Sequence, residues 1–214
     1  MKKQTENSRR NVHNLIILDE SGSMNSIKKA TLSGFNELVE NIRSLENKFP
    51  EQTHFVSLFT FNSSGIKTKH FAEPAKTLKP LTDEMFQPEA MTPLYDAVGF
   101  SVNELRRRIE TERGTNVLVT IFTDGEENSS MEYDRSAIRS LVQNHSTRGW
   151  TFTYIGTNHD VDAAADDIGV SQVLYCVSDQ RGIKSAFDKD KQARQNYANK
   201  LRRGDDFARN YFED

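Results

Sequence analysis

The chain has 214 residues, 36% of them hydrophobic and 28% charged, with a formal net charge of −3. That size suits one sizeable α/β domain or two small ones. The charge gives no bulk attraction to nucleic acid or to an anionic membrane, and no apolar run is long enough to span a bilayer. A single cysteine, Cys176, excludes an intramolecular disulfide and fits a reducing, cytoplasmic setting. Residues 1–10 are polar and basic without an apolar core segment, so they read as a disordered arm and not as a signal peptide.

Residues 12–19 form the first predicted strand. The apolar run Leu15-Ile16-Ile17-Leu18 stops abruptly at Asp19-Glu20-Ser21-Gly22-Ser23-Met24. An unbroken apolar run reads as a strand buried on both faces, with the polar cluster at its carboxyl end. From about Ser26, Phe35, Leu38, Val39, Ile42, Leu45 and Phe49 recur at helical spacing, up to Pro50. Residues 53–61 make a second strand and residues 66–71 a third. The short turn Asn62-Ser63-Ser64-Gly65 between them implies antiparallel pairing. Residues 72–91, with Pro74, Pro80 and Pro88, read as a surface loop with a short helix near 82–86.

Thr92-Pro93 then looks like the cap and first position of a helix whose buried face is Leu94, Ala97, Val98, Val102, Leu105 and Ile109. Residues 116–123 are a central-strand pattern that ends at Asp124-Gly125-Glu126-Glu127-Asn128. A helix around Ala137, Ile138, Leu141 and Val142 follows. Then come a strand over 151–155, a short helix over 161–168, a short strand over 172–176, and a C-terminal helix from Gly182 to Leu201 with a charged, aromatic tail.

This alternation predicts an α/β, doubly wound, mostly parallel six-stranded sheet with one antiparallel edge strand and helices on both faces, Rossmann-like in outline. The first and fourth strands should lie side by side at the switch of strand order, because both end in acids that can serve one site. The expected division is an arm over 1–10, the sheet domain over 11–178, and a helical extension and tail over 179–214.

The candidate site combines Asp19, Ser21, Ser23, Thr92 and Asp124. Two carboxylates and three hydroxyls, without Cys or His, are hard oxygen donors suited to Mg²⁺ or Mn²⁺. Taken singly, either serine and the threonine read as helix caps, and either aspartate as a turn residue. Glu20, Glu126 and Glu127 read as solvated loop acids, Met24 and Cys176 as packing residues, and His159-Asp160 as ordinary loop. The histidines show no zinc-binding spacing.

Asp19-x-Ser21-x-Ser23, then Thr92, then Asp124-Gly125 together resemble the metal-ion-dependent adhesion site of the von Willebrand factor A domain family, with all five positions present in order. Asp-Glu-Ser-Gly-Ser-Met and Thr-Asp-Gly-Glu-Glu are similar to bacterial members more than to integrin inserted domains. The likeness covers roughly residues 11–178. It implies that Ser21, Ser23 and Thr92 ligate Mg²⁺ directly, while Asp19 and Asp124 act mostly through water. A position is then left for a Glu or Asp carboxylate of a protein partner, for which an AAA+ ATPase is one candidate. The expectation is therefore a binding module and not an enzyme. The alternative is a hydrolase or phosphoryl-transfer enzyme using the same cluster, but no His, Lys or Cys stands near the motif as a base or nucleophile, and no glycine-rich phosphate loop is present.

Overall fold

The computed structural model describes residues 9–205 and 210–212. β1 (Arg10–Asp19) leads through a 3-10 turn (Gly22–Ile27) into α1 (Lys28–Lys48). β2 (Gln52–Asn62) and β3 (Gly65–Pro74) follow, then α2 (Leu94–Ile109), β4 (Thr115–Thr123), α3 (Arg135–Ser146) and β5 (Trp150–Gly156). α4 (Val161–Asp167), β6 (Gln172–Tyr175) and α5 (Gln180–Arg203) complete the chain. β1 begins at Arg10, inside the stretch assigned to the arm; residues 1–8, and Phe207 in the tail, lie outside the described residues.

The six strands form one sheet in the order β3-β2-β1-β4-β5-β6. Five run parallel, and β3 pairs antiparallel with β2 at the edge. The hairpin closes at Gly65, whose φ of 138° is open to glycine and strained for other residues. β1 and β4 are neighbours, so their carboxyl ends meet where the strand order reverses.

Alternate residues of each strand face opposite layers. Leu15 and Ile17 of β1 pack with Val98, Val102 and Ile138 under α2, α3 and α4. Ile16 and Leu18 pack with Phe35, Leu38 and Ile183 under α1 and α5. α1 and α5 touch so closely that Phe187 occupies the space a side chain at Gly34 would need, with Cδ2 at 2.0 Å from an added Cβ. No helix among the described residues is long and apolar enough to cross a membrane.

One local expectation is corrected. Residues 82–86 form a turn and not a helix. Leu81 gives its N–H and C=O to the Asn36 side chain (2.9 and 3.0 Å), and Phe86 is buried, so the loop is anchored by side chains and not by helical bonds. The tail is anchored where it is described: Tyr211 is buried, its N–H donates to Gln172 Oε1 (2.7 Å) and its hydroxyl to Asp190 Oδ1 (2.9 Å).

Candidate metal centre

The site stands on three loops at the carboxyl edge of the sheet. β1 supplies Asp19 as its last residue, and β4 supplies Asp124 immediately after its end. The loop before α2 supplies Thr92. Backbone bonds tie the loops together: Gly22 N–H donates to Ala90 C=O (3.1 Å) and Glu89 N–H to Glu20 C=O (2.9 Å).

Asp19 is fully buried. Its Oδ1 accepts the Ser21 N–H at 2.7 Å and its Oδ2 accepts the Thr123 hydroxyl at 2.6 Å. Burial, opposed by those donors and reinforced by the Asp124 charge, pushes its carboxyl up to about 6. Ser21 and Ser23 hydroxyls lie 3.2 Å apart, and Ser23 Oγ donates to Asp124 Oδ1 at 2.6 Å. Burial also raises Asp124, whose Oδ2 is enclosed without a hydrogen-bond partner among the described residues.

Neither serine caps a helix through its hydroxyl; Ser21 stands at the N-cap of the 3-10 turn but its side chain bonds Ser23 instead. Thr92 is not the cap of α2 either. Pro93 holds that place, because Thr92 N–H and C=O are both taken by Asn128 (2.8 and 3.1 Å). Thr92 Oγ1 instead lies over Gly125, at 3.4 Å from where a Cβ would be. The structure thus gathers Asp19, Ser21, Ser23 and Asp124 into one hydrogen-bonded chain and sets Thr92 against the β4 exit beside it.

Two acids in these loops, Glu20 and Glu127, and Asp96 in the first turn of α2 have roles that the sequence did not announce. Glu20 is buried, not solvated. Its carboxylate accepts the Gln87 N–H (2.6 Å) and the Thr60 hydroxyl (2.7 Å), with Lys67 at 3.4 Å. It fastens the loop that carries Thr92. Glu127 accepts the N–H groups of Tyr95, Ser129 and Ser130, joining the β4 exit loop to the start of α2. Asp96 returns the favour by accepting the N–H groups of Met131, Glu132 and Tyr133. The one available sequence signal for Glu20 was its place directly after a buried strand. Met24 and Cys176 are buried packing residues. His159 is held by Thr157 C=O (2.7 Å) and the Tyr154 hydroxyl (3.0 Å), and Asp160 caps α4.

No protein-family model matches the sequence, and no curated protein matches it. Solved structures do match. The vWF domain of the type V pili tip protein Mfa5 from Porphyromonas gingivalis superposes with a TM-score of 0.65 at 10% identity, over 88% of this chain and 96% of that one. The SpRpn10 VWA domain matches at 0.57 and 12%, over 83% and 93%. The chain has a von Willebrand factor A fold. At these identities the likeness is one of fold. The PilB minor pilin from Streptococcus sanguinis also carries it, at a TM-score of 0.64 and 14% identity over 87% of this chain, which spans only 62% of the pilin.

Among the described residues no group of three or more His, Cys, Asp or Glu side chains is placed to hold a metal ion. The cluster at the β1 and β4 ends has two carboxylates, and its other donors are hydroxyls. That donor set fits a small hard cation that keeps water ligands and takes one or two carboxylates.

Proposed function

We propose that this von Willebrand factor A fold is a metal-dependent protein-binding module. It takes Mg²⁺, or Mn²⁺, at Asp19, Ser21, Ser23, Thr92 and Asp124, and through the ion it captures an acidic side chain of a partner. The observation that carries this reading is the Ser21–Ser23–Asp124 chain, which ends in a buried carboxylate oxygen without a partner. Such an oxygen costs on the order of 1–3 kcal/mol or more when charged, and a bound ion is a standard explanation for one.

A cation there removes the cost and favours the ionised form of both aspartates. Ser21, Ser23 and Thr92 would offer it neutral oxygens, so its charge would stay poorly balanced and an external anionic oxygen would be favoured. Asp19, already spanned by Ser21 N–H and the Thr123 hydroxyl, would orient the serine loop and act through water. The same geometry favours binding over catalysis: both ring nitrogens of His159, the histidine beside the β4 exit, are engaged by protein groups.

The AAA+ ATPase as partner, and the bacterial type of the motif, rest on the sequence resemblance. A cytoplasmic location rests on the single cysteine, whereas the pilus proteins among the structural neighbours point outward; cell fractionation decides between them. Affinity capture in Mg²⁺ and in EDTA, with wild type and Asp19→Ala, tests the function. A partner lost in both EDTA and the variant supports it. A partner held equally in all conditions refutes it.

A further inference from the structure

A cavity of about 430 Å³ opens beside the proposed metal centre, with apolar walls from Ile66, Pro93, Phe100, Met131 and Tyr133. Sites for small ligands span about 300–1,000 Å³, so it has room for a large apolar side chain. Three of the polar groups at its edge are already engaged. Asp96 holds three backbone N–H groups, Ser63 Oγ accepts the Met91 N–H (3.2 Å), and Asn62 bonds Ser64 N–H and Glu20 C=O. What remains on offer is hydrocarbon, the exposed Glu132 carboxylate at the rim, and one hydroxyl, Ser129 Oγ, which has no partner among the described residues.

The cavity is preformed. The Tyr133 ring lies against Gly99, 2.6 Å from where a Cβ would be, and its hydroxyl accepts a bond from Asn103 Nδ2 at 3.1 Å. Phe100 stacks edge-on to Phe59 with ring centroids 6.0 Å apart. An occupant therefore meets fixed walls and little ordering cost. The lip is soft: Met131 is 88% exposed. Exposed methionine suits a surface that adapts to its partner.

Metal centre and cavity are built from the same loops. Pro93 directly follows Thr92. Ser129 directly follows Asn128, which holds both backbone groups of Thr92. Ser63 N–H donates to Met91 C=O, next to Thr92 on its other side. A partner segment whose acid reaches the metal centre therefore lies close to this opening.

We propose that the cavity is the second subsite of that interface. It takes a leucine-, methionine- or phenylalanine-like side chain borne on the same partner segment as the acid. The proposal rests on the metal-dependent reading above. The partner motif is thus an acid and an apolar anchor at fixed spacing.

The test is selection from phage-displayed random dodecapeptides in Mg²⁺, collecting clones released by EDTA, followed by fluorescence polarisation with the synthetic consensus peptide. The expected clones pair Asp or Glu with an apolar residue at constant spacing. Met131→Asp, at an exposed position, should weaken the peptide about tenfold or more while leaving the Mg²⁺-induced rise in Tm unchanged. Replacing the peptide's apolar residue by Gly should cost as much on wild type and little further on the variant. Clones with an acid but no constant apolar position, or equal peptide affinity for both proteins, overturn the cavity reading and leave the metal reading standing. A library that yields no EDTA-released clone overturns both.

Discussion

Ser23 Oγ donates to Asp124 Oδ1 at 2.6 Å and so joins two strand-end loops that lie 101 positions apart in the chain. The bond occupies one oxygen of a buried carboxylate and leaves the other without a partner among the described residues. Stability and function therefore pull Asp124 in opposite directions. Asp124→Ala should abolish the Mg²⁺-induced rise in Tm, yet melt in EDTA at or above the wild-type temperature. Asp19→Ala should lower Mg²⁺ affinity by ~10–100-fold, the usual loss when a group orienting metal ligands is removed. Calorimetric Mg²⁺ titration and thermal melts with and without EDTA read both. An Asp124→Ala protein that still responds to Mg²⁺ like wild type contradicts the assignment.

Glu20 acts on the site from beneath. Its carboxylate holds Gln87 N–H and Thr60 Oγ1, and its C=O holds Glu89 N–H. Glu20→Ala leaves the first two donors unmatched, at about 1–3 kcal/mol each. The expected result is faster hydrogen exchange at Gln87 and Glu89 together with weaker Mg²⁺ binding, although no proposed ligand is altered. Unchanged exchange in this segment would remove the positioning role.

Arg194 is buried at the α5–sheet contact. It donates to Asp190 (2.7 Å), Asn14 (2.8 Å) and Thr120 (2.8 Å), and Tyr211 closes the group on Asp190. Arg194→Met strands the Asp190 charge and should cost about 3–5 kcal/mol, whereas Arg194→Met with Asp190→Leu should recover most of it. Urea midpoints compare the two. Truncation after Ser178 removes Arg194 and the α5 cover together and should lower Tm markedly.

His54 makes stability depend on pH. Burial, helped by the nearby Arg194 charge, pushes its imidazole down to about 3. Between that value and the ordinary 6.5 the unfolded chain binds more protons, so stability is lost as pH falls through this window, by at most about 1.4 kcal/mol per pH unit. Asp19, raised from 3.8 to about 6, works the other way between those values. Urea midpoints at pH 7 and pH 5 in EDTA, for wild type and His54→Leu, separate them. Asp19 is common to both proteins, so the wild type should lose more on acidification. Equal losses would show that His54 is protonated in the folded state.

The strand ends were legible because burial on both faces writes a local pattern. Leu15-Ile16-Ile17-Leu18 before Asp19 is an unbroken apolar run that stops at an acid, and Val117 to Phe122, interrupted only by Thr120, is followed by Thr123 and Asp124. The four-residue turn before Ile66 left only an antiparallel hairpin. From these followed the order of elements, the meeting of β1 and β4, and a site at their carboxyl ends. Hydrophobic periodicity reports which side of an element is apolar; it does not report which charged group finds a partner inside. Glu20 looked solvated because Thr60, Gln87 and Lys67, which hold it, arrive from β2, β3 and a loop. Nothing in the sequence around Arg194 points to Asn14 and Thr120, which lie on strands far away in the chain. Thr92 looked like a helix cap until Asn128 was seen to take its backbone. Buried charge is stable only where distant segments converge to satisfy it, so these roles were decided by the tertiary structure alone.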